Sequence, residues 1–144
     1  MIVAIIRKLK VLNCSDKNEI FLKQIINQRS GGLMPKKVLI VGASGLVGTA
    51  AANSFARAGW QVIAASRRRP DLLSHENVEF LALDLQDADA CAVACRDLKG
   101  ITHVVYTAVY ELPGLVNGWT DPHQIETNGQ MLRNLLLALE NSSH

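Results

Sequence analysis

Cysteine is scarce in this chain. The three that occur, Cys14, Cys91 and Cys95, are too few and of the wrong parity for a disulfide framework. A reducing compartment is the default for such a composition. Cys91 and Cys95 stand one helical turn apart, a spacing that metal ligands use. No second ligand pair has matching spacing, so two small packed residues are the better account. His75, His103, His123 and His144 are scattered, and no metal site is expected. Long apolar runs are also missing, since none approaches the roughly 18 residues needed to span a bilayer. Residues 1–6 are apolar, but the charges at Arg7, Lys8 and Lys10 follow them, which reverses the order of a secretory signal. A cytoplasmic protein with no membrane partner is expected. Charge of one sign is lacking as well: Lys and Arg total 15 against 13 for Asp and Glu, a net charge of +2. The basic cluster Arg67-Arg68-Arg69 has no interleaved aromatic residues, so no nucleic-acid partner is expected.

Alanine is nearly absent from the first 33 residues, which hold one against six isoleucines; residues 34–144 hold fifteen alanines and four isoleucines. That shift predicts a boundary, with 1–33 an atypical extension and 34–144 the folded domain. Met34-Pro35-Lys36-Lys37 has the look of a natural chain start. Residues 18–27 carry Phe21, Leu22, Ile25 and Ile26 at the spacing of a short amphipathic helix. Either the extension is a docking or membrane-surface arm, or it is a poorly ordered stretch translated from an early start; the second is expected.

What the chain does have is concentrated in one run, Lys37-Val38-Leu39-Ile40-Val41-Gly42-Ala43-Ser44-Gly45-Leu46-Val47-Gly48. Four apolar residues lead into three glycines at three-residue spacing, and an apolar helix-forming stretch, Thr49 to Ala58, follows. Strand, tight turn and helix start make a dinucleotide site, because backbone N–H groups and the helix dipole favour a pyrophosphate there. Gly42 lets the chain turn sharply, Gly45 lets the pyrophosphate approach the backbone, and Gly48 lets the helix pack close to the sheet.

Beyond this run, strands and helices alternate. Gly59 is a C-cap candidate, residues 60–65 read as the second strand, and Val78 to Leu83 as the third. Asp87 to Leu98 reads as a helix stopped by Lys99-Gly100, Ile101 to Ala108 as the fourth strand, and Tyr110 to Pro122 as a loop. A last helix runs from about Pro122 to Glu140, with Met131, Leu132, Leu135, Leu136 and Leu139 on its apolar face. Strands separated by helices pair in parallel through right-handed crossovers. The fold class is therefore α/β, the N-terminal part of a doubly wound (Rossmann) parallel sheet with strand order 3-2-1-4. The fourth strand, apolar from Val104 to Val109, is expected to be an unprotected edge open to self-association.

The end of the second strand selects the cofactor. An NAD site places Asp or Glu about 20 residues beyond the glycines to hold the ribose hydroxyls. Here Ser66-Arg67-Arg68 stands there instead. A guanidinium pairs with a 2′-phosphate that a carboxylate would repel. NADP is expected, with NAD the lesser alternative and a solvated arginine turn the reading without function.

With these pieces placed, the chain resembles the extended branch of the short-chain dehydrogenase/reductase superfamily, the NAD-dependent epimerase/dehydratase-like group. Gly42-Ala43-Ser44-Gly45-Leu46-Val47-Gly48 matches its G-x-x-G-x-x-G motif. The resemblance implies that Asp84-Leu85 lies beside the adenine and Thr107-Ala108 beside the nicotinamide ribose. It places Asn128 on the helix asparagine of an asparagine-glycine-threonine pattern, from which Gly129-Gln130 departs. Thr102-His103-Val104-Val105-Tyr106, the segment from Asn128 to Leu136, and Ser66-Arg67-Arg68-Arg69-Pro70 look similar to progesterone 5β-reductase and iridoid synthase-like reductases.

That family implies hydride transfer between a nicotinamide and small carbonyl or enone compounds, with a tyrosine and a lysine on or after the fifth strand. Neither Tyr106 nor Tyr110 is followed by lysine four residues later, and no catalytic residue is assigned. The chain is expected to be the NADP(H)-binding part of such an oxidoreductase, its catalytic half missing. The competing readings are a non-catalytic dinucleotide-binding or sensing module and a non-functional truncated gene product.

Overall fold

The computed structural model describes residues 4–6 as backbone, and residues 36–71, 75–113 and 120–142 with their side chains. The helix expected over residues 18–27 and the chain start expected at Met34 lie outside the described residues.

The strands are β1 (Ala4–Ile6), β2 (Lys37–Val41), β3 (Gln61–Ser66), β4 (Val78–Ala82) and β5 (His103–Tyr106). The helices, among the described residues, are α1 (Leu46–Arg57), α2 (Ala88–Cys95) and α3 (Pro122–Ser142). The sheet order is β1-β5-β2-β3-β4. Strands β4-β3-β2-β5 are the 3-2-1-4 order expected of the doubly wound sheet. β2 runs parallel to β3, with Val41 opposite Ala65, and parallel to β5, with Val41 opposite Tyr106.

One expectation is corrected. The fourth parallel strand is not an open edge, because β1 pairs with β5 in antiparallel register, Ala4 to Tyr106 through Ile6 to Val104. The premise for self-association through that strand falls with it. β1 belongs to the segment set apart by composition, and its short isoleucine-containing run offered no alternation that would have marked a strand.

The chain divides into two compact units, Met1–Leu81 with Gly100–Ala108, and Ala82–Lys99 with Val109–His144. In the first, α1 packs on β2 and β3. Val38, Ile40, Val62, Ala64 and Val105 from the sheet meet Ala51, Ala52, Phe55 and Ala56 from the helix. Strands this uniformly apolar suit a sheet whose faces are covered. Trp60 closes the amino end of the sheet, with ring contacts of 4.8 Å to both Phe55 and His103 and the Lys36 ammonium 5.0 Å above it. The Asn77 amide donates to the carbonyls of Ala56 and Trp60 at 2.9 and 2.7 Å, satisfying one acceptor in the last turn of α1 and one just before β3.

In the second unit, α2 packs against α3. Cys91 and Cys95 are buried on one helix, Met131, Leu135 and Ala138 on the other. Asp87 caps α2 by accepting from the Ala90 N–H at 2.9 Å. Asp121 caps α3, accepting from the His123 and Gln124 N–H groups at 2.8 and 3.2 Å, and Pro122 opens the helix where its missing N–H costs nothing.

Element ends differ from expectation for local reasons. α1 begins at Leu46, three residues before Thr49, because Gly45 is already the cap residue. α2 stops at Cys95 rather than Leu98, where the Leu98 N–H tightens to an i→i−3 bond with Cys95. β5 ends at Tyr106; the Thr107 N–H still donates to the Val41 carbonyl at 2.8 Å, and its hydroxyl joins it there.

Candidate dinucleotide site

The glycine turn is drawn tight from three sides. Gly42 and Ala43 both donate their N–H to the Ala65 carbonyl, at 2.9 and 3.1 Å. The Thr49 hydroxyl reaches back to the Ala43 carbonyl at 2.8 Å. The Thr107 hydroxyl donates to the carbonyls of Val41, at 2.9 Å, and Gly42, at 3.3 Å. Gly42 has φ +88°, a left-handed conformation, and a Cβ there would sit 2.5 Å from the Ala108 nitrogen. A Cβ on Gly48 would overlap the Gly42 carbonyl oxygen. Gly42 is thus required by contact and by conformation, Gly48 by contact alone.

α1 rises from this turn with no side-chain cap on Gly45 and no acidic residue in its first turn. A helix start leaves N–H groups without intrahelical partners and carries a partial positive charge. Ser44, Gly45 and Leu46 are all exposed, Leu46 to 90%, and Val47 is half-buried. An anion has open access to the exposed part of this turn, while Ala43 and Gly48 form its buried base.

At the end of β3, Ser66 is buried and its hydroxyl donates to the Arg68 carbonyl at 2.7 Å. The serine therefore shapes the arginine turn, with its oxygen lone pairs left to accept. Arg67 and Arg68 are exposed on that turn, whereas Arg69 lies 6.0 Å from the Phe80 ring.

In the second unit, Asp84 is exposed and Leu85 buried in the turn that follows β4. The Asp84 carboxylate accepts from the Gln86 N–H at 3.0 Å, and its carbonyl accepts from the Cys91 thiol at 3.3 Å. Burial first, then the charges of Cys95, Asp84 and Asp87, push the Cys91 thiol from 9.0 up to about 11. It stays protonated and able to donate at neutral pH. The unfolded thiol ionises near its ordinary value while the folded one keeps its proton. Stability from this group is therefore full below pH 9 and lost as pH rises towards 11. Urea unfolding at pH 8 and pH 11 checks this: the alkaline loss should shrink in Cys91→Ala, and an unchanged loss would refute it.

Asn128 is committed to protein. Its Oδ1 accepts from the Tyr110 N–H and its Nδ2 donates to the carbonyls of Tyr110 and Gln124, all at 2.8 Å. One amide hydrogen holds the segment after Val109 onto α3, and the other is spent on the Gln124 carbonyl of the same helix. Gln124, buried one turn earlier, extends the clamp by accepting from the Leu112 N–H at 2.8 Å. The roles of Thr49, Gln124 and Asn134 in these turns, and the part of Thr107 that anchors the glycine loop, carry no mark in the sequence. Each bond to the main chain depends on which residues the fold brings together. Among the described residues, no three of His, Cys, Asp and Glu gather as metal ligands, and no helix is long and apolar enough to cross a membrane.

Parallel sheet, glycine turn and bare helix start together define the NAD(P)-dependent short-chain dehydrogenase/reductase fold. The chain belongs to the NAD dependent epimerase/dehydratase family, which matches residues 38–144. Over 107 residues it is 29% identical to a 3-oxo-Delta(4,5)-steroid 5-beta-reductase from Arabidopsis thaliana, covering 70% of this chain and 26% of that protein. It is 33% identical to the (S)-8-oxocitronellyl enol synthase CYC2 of Camptotheca acuminata, with the same coverage of 70% and 26%. The chain thus spans about a quarter of the length of the curated relatives it matches. The Bordetella bronchiseptica enzyme WbmH, solved in complex with NAD+, is similar with a TM-score of 0.57 at 26% identity, over 76% of this chain and 36% of that one.

Proposed function

We propose that this chain binds NADP(H) and is the nucleotide-binding part of a reductase for small carbonyl or enone compounds. The observation that carries the proposal is the packing of Gly48 against the Gly42 carbonyl beneath an uncapped helix start. A side chain at Gly48 would push α1 off the turn, and one at Gly42 would strike the Thr107–Ala108 backbone, so both glycines hold the helix start where a pyrophosphate fits. Gly42, Ser44, Gly45, Leu46, Val47 and Gly48 would hold it, chiefly through main-chain N–H groups. Arg67 and Arg68 would pair with the 2′-phosphate on a turn shaped by Ser66. Asp84 and Leu85 would take the adenine, and Thr107 and Ala108 the nicotinamide ribose. Asn128 would act through the Tyr110 main chain that it clamps. When bound, the reduced nicotinamide supplies hydride to the substrate.

The substrate class rests on the two plant relatives, whose names specify a steroid reductase and an enol synthase. Cofactor choice is tested by fluorescence titration of the purified chain with NADPH and NADH. NADPH should bind at least tenfold more tightly, the worth of one charged hydrogen bond. Equal affinities, or a preference for NADH, would overturn the NADP assignment.

A further inference from the structure

The two sides of this sheet are built differently. β4 ends the strand order on one side; none of its residues is buried, and the charged Glu79 sits within it. A charge on an outermost strand deters an unwanted neighbour. β5 has no such protection. Its sequence His103-Val104-Val105-Tyr106 carries no carboxylate, lysine, arginine, glycine or proline, and all four residues are buried. By composition it is an interior strand, suited to a neighbour on both sides.

β2 lies on one side of it and runs parallel, from Val38 opposite His103 to Val41 opposite Tyr106. On the other side stand only the three residues of β1, running antiparallel, and the sheet ends with them. That orientation carries the argument. Two copies of one edge, related by a two-fold axis normal to the sheet, meet antiparallel. The register of β1 shows that the outer side of β5 accepts an antiparallel strand. An uncharged, β-branched run of this kind is therefore complementary to itself.

We infer that β1 is a guard strand over a self-pairing surface: with residues 4–6 in place β5 meets no other chain, and without them it pairs with β5 of a second copy. Residues 4–6, which composition sets apart from the domain, thereby have a task in the folded chain. The inference is independent of the dinucleotide reading.

The experiment uses the full chain with one proline at a time. Successive N–H groups along a strand point to opposite sides, so of Ile5 and Ile6 one faces β5 and the other faces away. Proline at the first removes a ladder bond and drives its ring against β5. At the second it is tolerated, because β1 is the outermost strand. Sedimentation velocity at micromolar concentration should give the mass of one chain for the wild type. One of Ile5→Pro and Ile6→Pro should match it, and the other should give twice that mass. Hydrogen exchange then locates the contact: the β5 amides that face β1 should be as slow in the variant dimer as in the wild type, because the second copy bonds them. Monomers from both variants overturn the inference, as does a dimeric wild type or a variant dimer in which those amides exchange rapidly. Circular dichroism melting establishes that each variant is folded. If the affected variant does not fold, exchange in the wild type decides. Amides facing β1 that are as slow as those facing β2 uphold the guard, and rapid exchange at alternate residues of β5 overturns it.

Discussion

Gly48→Ala is expected to abolish dinucleotide binding and to destabilise the chain by about 3 kcal/mol, the upper end of ordinary overpacking. The added methyl would meet the Gly42 carbonyl, a backbone group that cannot swing aside. Relief requires α1 to retreat from the turn. That movement stretches the 3.0 Å bond from the Gly45 N–H to the Gly42 carbonyl and withdraws the N–H groups offered to the pyrophosphate. Two other glycines serve as controls. Gly59 has φ +78° with nothing within 4 Å of a new Cβ, so Gly59→Ala costs only backbone strain, about 1 kcal/mol, and leaves binding intact. Gly129 lies within α3 with only the Arg133 side chain near, so Gly129→Ala should stabilise by up to about 1 kcal/mol. Thermal melts and NADPH titrations of the three variants give the test. A Gly48→Ala protein that melts and binds as wild type would show that the helix can slide without cost.

Arg67→Glu combined with Arg68→Glu should invert cofactor choice. Both guanidinium groups are exposed on a turn that Ser66 stabilises from beneath. Charged hydrogen bonds to phosphate contribute roughly 1.5–3 kcal/mol each, so losing them weakens NADPH by at least a hundredfold. Two carboxylates add repulsion towards the 2′-phosphate and offer acceptors to the 2′- and 3′-hydroxyls of NADH. NADH affinity should hold or rise. The wild-type preference should also fall with added salt, because exposed charges are screened. Parallel loss of both cofactors would mean that the arginines support the turn and do not read the phosphate.

The strand, turn and helix at Lys37 to Arg57 were legible because they rest on local facts. An apolar run and three glycines constrain the backbone within a dozen residues, whatever the rest of the chain does. The parallel order followed from the same alternation. What could not be read was set by distant partners. Thr107 bonds the Val41 carbonyl across 66 residues and Asn134 the Leu85 carbonyl across 49, and neither residue type announces such a partner. Asn128 was visible as a patterned asparagine, yet its clamp on Tyr110 depends on where the segment after Val109 returns. β1 escaped for a different reason: a three-residue strand is specified by the edge it joins more than by its own composition.

That short strand sets a competition. The outer row of hydrogen-bonding groups on β5 can seat one neighbour, and residues 4–6 are seated there. A further strand joining the sheet at this edge, from this chain or another, must first displace them. Three residues in register form a small contact, but they are tethered. Their local concentration beside β5 is fixed by the covalent chain and does not fall on dilution. An untethered strand at ordinary protein concentration therefore loses to this one, whereas another tethered strand with a longer register would win.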